Sequence, residues 1–440
     1  MTTLFDLENR GTTVAREARG AATTFLTMSY ILFANPAILA AAGVPAEGVA
    51  AGTAAAAAIC TLAMGLLANF PLALAPGMGL NAVVAFQVAR ETGSWQTAMG
   101  LVVFDGIVVL AFSLVGARES VMRAIPVDLR RAISVGIGLF IAFIGAVNAR
   151  LVVVPSDTVA VLSGNPAAVL PPVTHGSLHV AEPLIALAGL FVIAFLLHRR
   201  VPGAIVAGIL VAAGAALATG VATLPAAGWV RAPSFEGLFQ ADLRQAFDLR
   251  FVPLLLSIVM VDFFDTIGTV TAIAETGQIE RDDGTVPGLR RILAVDAASA
   301  SVGGLFGVSS VTCYIESAAG VAEGARTGLH SVFVAVLFGL SMFLAPLAAM
   351  VPAAATAPAL MMVGFLMCRQ IRQIDFLAIE TAVPAFLILL LVPLTYSVSS
   401  GIGFGFIAYV VIKLLSRRAS DVHPLMFAAA AAFVVYFAVR

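Results

Sequence analysis

The chain has 440 residues, of which 60% are hydrophobic and 11% are charged, and its mean hydropathy is +1.03. Soluble globular proteins carry about 25% charged residues. A chain of this composition cannot cover a water-facing surface, so most of it must lie in lipid. The formal net charge of −1 gives no indication of the basic surface typical of nucleic-acid binding.

Residues 1–20 are polar, carry charges of both signs and lack the apolar core of a cleaved signal peptide. We predict that they form a cytosolic tail. About 14 apolar runs follow, each judged against the roughly 20 residues that a membrane-spanning helix needs. They lie at 21–42, 49–69, 72–89, 96–117, 132–148, 181–198, 202–221, 251–274, 292–307, 309–323, 328–351, 354–368, 375–396 and 401–416. A last run at 424–439 could span the membrane, lie at its surface or pack on the bundle.

Arginine placement predicts the orientation of these spans. With the N-terminus in the cytoplasm, most arginines fall in cytoplasmic connections, as the positive-inside rule requires. Examples are Arg130 and Arg131, Arg199 and Arg200, and Arg326. We therefore expect a multi-pass protein of the cell (inner or plasma) membrane with a cytoplasmic N-terminus.

Two segments are broken by glycine, proline and hydroxyl residues at the depth where a helix is expected. They are PLALAPGMGLNA at 71–82 and FGVSSVTCYIESAAG at 306–320. They occupy the third and tenth positions, which correspond if the chain consists of two inverted halves of about seven spans each. Irregular backbone survives at this depth only where protein or a cavity satisfies it. The matched pair predicts a binding site near the midplane.

Carboxylates in membrane spans are expensive and usually functional. Asp262 and Asp265 lie three residues apart on the eighth segment, Asp296 lies on the ninth, and Glu316 follows a hydroxyl cluster on the tenth. The alternative is that such groups only join helices by hydrogen bonds. The predicted substrate-binding residues are Asp265, Glu316, Asn81, Thr312 and Gly77, and the proton-coupling candidates are Asp265, Glu316, Asp296 and Asp262.

These residue types suit a polar heterocycle. Carboxylates accept hydrogen bonds from ring N–H groups, and an asparagine amide both donates and accepts. A buried carboxyl group can also hold a proton near neutral pH and release it on the other side of the membrane. The five histidines fall in loops or at helix ends, so we assign them no role in proton transfer. The three cysteines lie in apolar stretches, which favours packing over a disulfide or metal role.

Five motifs in the same order along the chain resemble the nucleobase–cation symporter-2 family, in its AzgA-like purine permease branch. They are TTFLTMSYILFANPAIL at 23–39, APGMGLNA at 75–82, VDFFDTIGT at 261–269, VDAAS at 295–299, and TCYIESAAG at 312–320 before GLHSVFVAVLF. The resemblance implies adenine, guanine or hypoxanthine as substrate, H⁺ as the coupling ion and no cofactor. Uracil-type relatives have a histidine one turn after the eighth-segment acid, where this chain has Thr269.

The same resemblance implies an all-α membrane fold of two inverted repeats, with short antiparallel strands in segments 3 and 10. Segments 1–4 and 8–11 would form a core domain, and segments 5–7 and 12–14 a gate domain through which a homodimer is plausible. The implied ranges are 21–117 and 251–351 for the core, 128–221 and 354–418 for the gate, 222–250 for an external loop and 419–440 for a C-terminal apolar segment.

Three other kinds of protein compete with this interpretation. An anion or carboxylate transporter of the same architecture would need a basic group at the site, and neither the eighth nor the tenth segment has a lysine or arginine. An intramembrane metal-dependent enzyme would need a second acidic motif beside the Asp262–Asp265 pair. An ion channel would need an acidic ring but no matched pair of broken helices.

Overall fold

The computed structural model describes residues 5–115, 124–155, 173–224, 228–279 and 286–439, without the side chains of residues 263–265, 267, 268, 271, 275, 349 and 439. Helices dominate the first half, and β1 interrupts them. The elements are α1 (Val14–Met28), α2 (Ile31–Leu39), α3 (Ala46–Ala63), β1 (Leu74–Pro76), α4 (Met78–Ala82), α5 (Ala89–Thr92), α6 (Trp95–Leu114), α7 (Val127–Asn148), β2 (Val152–Val153), β3 (Thr174–His175), α8 (Ala181–His198) and α9 (Ala204–Ala218). Wide helical turns, Met64–Ala68 and Val83–Val88, extend α3 and join α4 to α5.

The second half repeats this plan, and β4 interrupts it. Its elements are α10 (Leu243–Ala246), α11 (Val252–Gly277), α12 (Leu289–Leu305), β4 (Val311–Cys313), α13 (Ser317–Ala322), α14 (Gly328–Ser341), α15 (Ala345–Ala349), α16 (Ala353–Cys368), α17 (Ile379–Thr395), α18 (Val398–Leu415) and α19 (Pro424–Val439). Among the described residues, eight helical stretches are long and apolar enough to cross a membrane, from Val14–Ala42 to Val398–Leu415. The prediction of a multi-pass helical membrane protein is confirmed.

Helix contacts follow the symmetry of an inverted repeat. In the order of the spans, α3 and α14 are the second and eleventh, and they pack together; so do their counterparts, the ninth and fourth, α12 and α6. The contact of α8 with α16 is likewise matched by that of α17 with α7, and α7 packs directly on its own counterpart α16. A rotation that exchanges the halves preserves these contacts, as expected for inverted repeats.

The helices also sort into two packed sets. One set contains α1–α6 and α11–α14 together with β1 and β4, and the other contains α7–α9 and α16–α18. The run at 424–439 forms α19, which packs on α18, where Phe437 stacks on Phe404 with ring centroids 4.7 Å apart. The assignment of core and gate roles to the two sets stays a prediction.

The first helix begins at Val14, inside the range that we predicted to be a tail. Thr13 caps it, its side chain accepting a hydrogen bond from the Arg16 amide. Charged residues in the first two turns conceal this start from a hydropathy pattern. Phe5 and Leu7, upstream of the helix, are buried against Leu329 of α14, so the residues before α1 are packed on the bundle.

A close crossing joins α1 to α13 and α14. An added Cβ at Gly20 would lie 2.6 Å from the Gly320 carbonyl oxygen, so the two backbones touch. Beside the crossing, Thr24 Oγ1 lies 2.8 Å from His330 Nε2, and the Glu17 carboxylate accepts from the His330 amide at 3.0 Å. His330 is the third residue of α14 and is fully buried. It is at a helix end as predicted, but it joins two helices there.

We expect Gly320→Ala to destabilise the protein, because the new methyl group would overlap Thr24, Gly20 and His330. Overpacking of this kind typically costs about 1–3 kcal/mol. Gly339→Ala is the matched control, since an added Cβ there meets nothing within 4 Å, and alanine is the better helix former. Thermal unfolding in detergent should show a lower Tm for the first variant only; equal Tm values would contradict the close crossing.

Candidate functional site

The two broken segments meet as a short antiparallel pair of strands. Leu74, Ala75 and Pro76 of β1 face Cys313, Thr312 and Val311 of β4, and all six residues are buried. Backbone bonds extend the pairing at both ends, from Tyr314 N to Ala73 O at 3.0 Å and from Gly77 N to Ser310 O at 2.9 Å. The structure therefore places residues from both halves of the chain at one point.

Side-chain hydroxyl groups accept hydrogen bonds from the backbone amides that the strand pairing leaves without a partner. Each comes from a neighbouring helix in the same set. The bonds run from Leu72 N to Ser331 Oγ at 3.0 Å, from Ala73 N to Ser317 Oγ at 3.0 Å and from Leu74 N to Thr61 Oγ1 at 2.9 Å. Because an unpaired amide in a lipid-depth interior costs several kcal/mol, these hydroxyls permit the strands to exist there.

Gly77 and Thr312, both predicted to bind substrate, touch each other. An added Cβ at Gly77 would lie 2.7 Å from the Thr312 methyl group, so any larger residue would push the strands apart. Both positions are buried. The Gly77 backbone and the Thr312 side chain are thus in close contact where the two strands meet.

Asp296 of α12 binds the end of β4 to two helices. Its Oδ2 accepts from Thr266 Oγ1 of α11 at 2.6 Å, and its Oδ1 accepts from the Cys313 amide at 3.1 Å and from Thr312 Oγ1 at 3.2 Å. The side chain is 1% exposed. The carboxylate already has donors on both oxygens, which makes it a strong structural joint between α11, α12 and β4.

Glu316 lies in a different environment, directly after β4. It is partly exposed, as is its neighbour Ile315 at 48%, although buried residues flank the two on either side. Its Oε1 accepts from the Tyr30 hydroxyl at 2.9 Å. The backbone amide of Glu316 itself also bonds to this carboxylate. Because the side chain is partly exposed, the carboxylate can also accept a hydrogen bond from a ligand N–H group.

The remaining predicted residues are Asn81 on α4 and Asp262 and Asp265 on α11. Asn81, one turn into α4, is fully buried and donates to Pro76 O at 3.4 Å, while its Oδ1 has no hydrogen-bond partner among the described residues. Asp262 is 1% exposed on α11, and its carbonyl oxygen accepts from Thr266 Oγ1. The side chain of Asp265 lies outside the described residues, so its predicted place beside Glu316 stays a prediction.

Tyr30 was not among the predicted site residues. It belongs to the motif at 23–39, but a tyrosine in an apolar helix is usually ordinary packing. Its partner is 286 positions away in the sequence, so no local pattern relates the two. A signal was nevertheless present, because Tyr30 falls between polar residues and Pro36 in a segment where a kink is expected.

Paired broken helices between two repeats, with buried carboxylates at the crossing, are the architecture of a secondary transporter. Within the part of the chain that the structure describes, no group of three His, Cys, Asp or Glu side chains could hold a metal ion.

The chain matches the model of the Permease family over residues 16–404 and belongs to that family, in agreement with its resemblance to nucleobase–cation symporter-2 proteins. It is therefore a transport protein and not an enzyme. It is 37% identical to the guanine/hypoxanthine permease PbuG of Bacillus subtilis over 450 residues, with 99% of both chains covered. It is also 37% identical to the adenine permease AdeP of Escherichia coli over 440 residues, with 98% of this chain and 94% of that one covered.

Solved structures of low sequence identity share the fold. The transmembrane domain of the cyanobacterial bicarbonate transporter BicA aligns with a TM-score of 0.66 at 18% identity, covering 88% of this chain and 97% of that domain. The murine anion transporter Slc26a9 aligns with a TM-score of 0.63 at 13% identity, covering 91% of this chain and 68% of that one. These similarities confirm the inverted-repeat architecture that the broken segments predicted.

We expect Asp296→Ala to destabilise the protein strongly, because the Cys313 amide and the Thr266 and Thr312 hydroxyls would lose their common acceptor. Stranded buried donors cost about 1–3 kcal/mol each. Ser299→Ala is the matched control on the same helix, since the Ser299 hydroxyl bonds to Val295 O of its own helix and to the Cys60 thiol, and neither bond involves β4. Thermal unfolding of purified protein should separate the two variants, and similar Tm values would argue against the joint.

Proposed function

We propose that the chain is a secondary active transporter that imports purine nucleobases, namely adenine, guanine or hypoxanthine, by proton symport through alternating access. The observation that carries the proposal is Glu316, a partly exposed carboxylate at the crossing of the two broken segments. Relatives named as guanine/hypoxanthine and adenine permeases match nearly the whole chain, which supports a purine as substrate.

In this proposal the base lies beside the strand crossing. Glu316 accepts from a ring N–H group, and Asp265 of α11 accepts from a second edge of the base. The unpartnered Oδ1 of Asn81 offers another acceptor, and the backbone of Gly77 and the hydroxyl of Thr312 complete the pocket floor. Each group pairs with a polar atom of a purine, so the base recovers the hydrogen bonds that it gives up on leaving water.

An anion transporter of the same architecture is the second candidate, because the structural neighbours carry titles that name bicarbonate and anions. The charge of the site opposes it. No lysine or arginine stands between Phe251 and Glu280 or between Ile292 and Ala325 in the sequence, which covers the segments of Asp265, Asp296 and Glu316. Carboxylates without a basic partner would repel an anion, so we favour the nucleobase.

Alternating access requires the two helix sets to move relative to each other. The contacts between the two sets mark the interface along which they would move. Gln87, in the segment that carries β1, donates to Ser399 Oγ of α18 at 2.6 Å, and both are buried. Next to it, the Phe86 and Tyr396 rings pack edge to face with centroids 6.1 Å apart. In the proposed cycle these contacts break and re-form as the set that carries the base slides against the other.

The arrangement in the membrane follows from charge and resemblance. We propose that the N-terminus is cytoplasmic, which the arginines at the start of α7 and at the ends of α8 and α16 support through the positive-inside rule. A homodimer through the α7–α9 and α16–α18 set is proposed on the family resemblance alone.

Replacement of the two proposed substrate-binding carboxylates, Glu316 and Asp265, tests the site. We expect Glu316→Gln and Asp265→Asn each to lower uptake of radiolabelled adenine and hypoxanthine about 10- to 100-fold, the loss of a hydrogen bond from a charged acceptor. Membrane expression should stay unchanged. Competition by unlabelled guanine, xanthine and uracil would then rank the substrates.

The matched control is Glu323→Gln, which removes a surface carboxylate paired with Arg19 on the same stretch of chain. Its uptake should equal that of the wild type. Normal uptake in both site variants would refute the assignment of Glu316 and Asp265.

Proton coupling has a separate test. If a carboxyl group must be protonated before the substrate-bound transporter can change its conformation, the protonated fraction rises as the pH falls. Uptake should therefore rise as the external medium is acidified and fall when a protonophore collapses the proton gradient. Uptake that ignores both treatments would replace proton symport by facilitated diffusion or by coupling to another ion.

A further inference from the structure

Tyr30 stands at a kink in the first membrane span. The helix α1 ends at Met28 and α2 begins at Ile31. The amide of Phe33 bonds to the Tyr30 carbonyl at 3.1 Å, a tighter spacing than in an α-helix. Pro36, which has no amide hydrogen, cannot donate to the Leu32 carbonyl one turn before it. The kink holds Tyr30 at the level of the strand crossing.

The side chain of Tyr30 is buried, with 1% of it exposed, yet its hydroxyl reaches the partly exposed Glu316 carboxylate at 2.9 Å. A hydroxyl that bonds one carboxylate oxygen restricts rotation of the group and leaves the lone pairs of the other oxygen in a fixed direction. A phenol both donates and accepts, so it can keep this contact whether Glu316 is ionised or protonated.

Contacts earlier along α1 hold Tyr30 and Glu316 in position relative to each other. The Gly20–Gly320 crossing holds α1 on α13, the helix that starts directly after Glu316. Thr24 and Glu17 fasten α1 to His330 of α14. Three contacts in succession along α1 therefore precede the Tyr30–Glu316 bond, so the position of Tyr30 is set by the same interface that supports Glu316.

We infer that Tyr30 is a positioning residue of the substrate site, which fixes the Glu316 carboxylate so that it faces the N–H edge of a bound nucleobase. This inference rests on the proposed function. It assigns a role in recognition to the first membrane span, which contributes none of the acidic or amide groups of the predicted site.

Binding to purified protein tests the inference. Tyr30→Phe removes only the hydroxyl, so calorimetric titration with adenine and hypoxanthine should show a Kd about 10-fold weaker than in the wild type. Tyr409→Phe is the control, because Tyr409 is equally buried on α18 and its hydroxyl makes no hydrogen bond within the described ranges. The control should bind as the wild type does.

A double-mutant cycle separates positioning from general damage. Glu316→Asp withdraws the carboxylate from the hydroxyl, so adding Tyr30→Phe to that variant should weaken binding less than two-fold further, since contacting groups are not additive. An equal loss in both backgrounds, or an unchanged Kd in Tyr30→Phe alone, would overturn the inference while the purine site stands. A wild type that binds neither base would overturn the proposed function and this inference with it.

Discussion

The fold depends on one requirement, that every backbone amide and carbonyl at lipid depth has a partner. Helices meet it by themselves, but β1 and β4 do not, and each has three residues. The strands satisfy one another across the two halves, and the hydroxyls of Thr61, Ser317 and Ser331 satisfy what remains. Interrupted helices are thus possible here because the surrounding helices supply hydroxyl groups at the right places, and the interruption is what opens a polar site in an apolar bundle.

Asp296 and Glu316, the two described carboxylates that lie beside the strand pair, have different environments and different roles. Asp296 is surrounded by donors from α11 and β4 and is nearly inaccessible. Glu316 accepts one hydroxyl and is partly exposed. A carboxylate that is enclosed by donors supports the framework, whereas one that is partly exposed can also bind a guest. The contrast favours Glu316 over Asp296 as the proposed binding and protonation site.

Much of the architecture was predictable because it is local. Apolar runs predicted the spans, and the glycines and prolines of 71–82 and 306–320 predicted the breaks. The strands came from the family resemblance, since three residues carry no periodicity. The start of α1 at Val14 and the burial of His330 were missed, because charge in the first turns and a histidine at a helix end look solvent-exposed when tertiary contacts are unknown. The Tyr30–Glu316 bond joins residues 286 positions apart, which no local pattern contains.

The β1–β4 pair also has a consequence for biogenesis. The Ala73 amide bonds to the hydroxyl of Ser317, which is synthesised 244 residues later. During synthesis the third segment must therefore enter the membrane before its partner strand exists, while the amides of Leu72 and Ala73 still lack their hydroxyl partners from the second half. Non-local pairing of this kind slows folding and exposes intermediates. The early half of the nascent chain should depend on the insertion machinery to hold this segment until the tenth arrives.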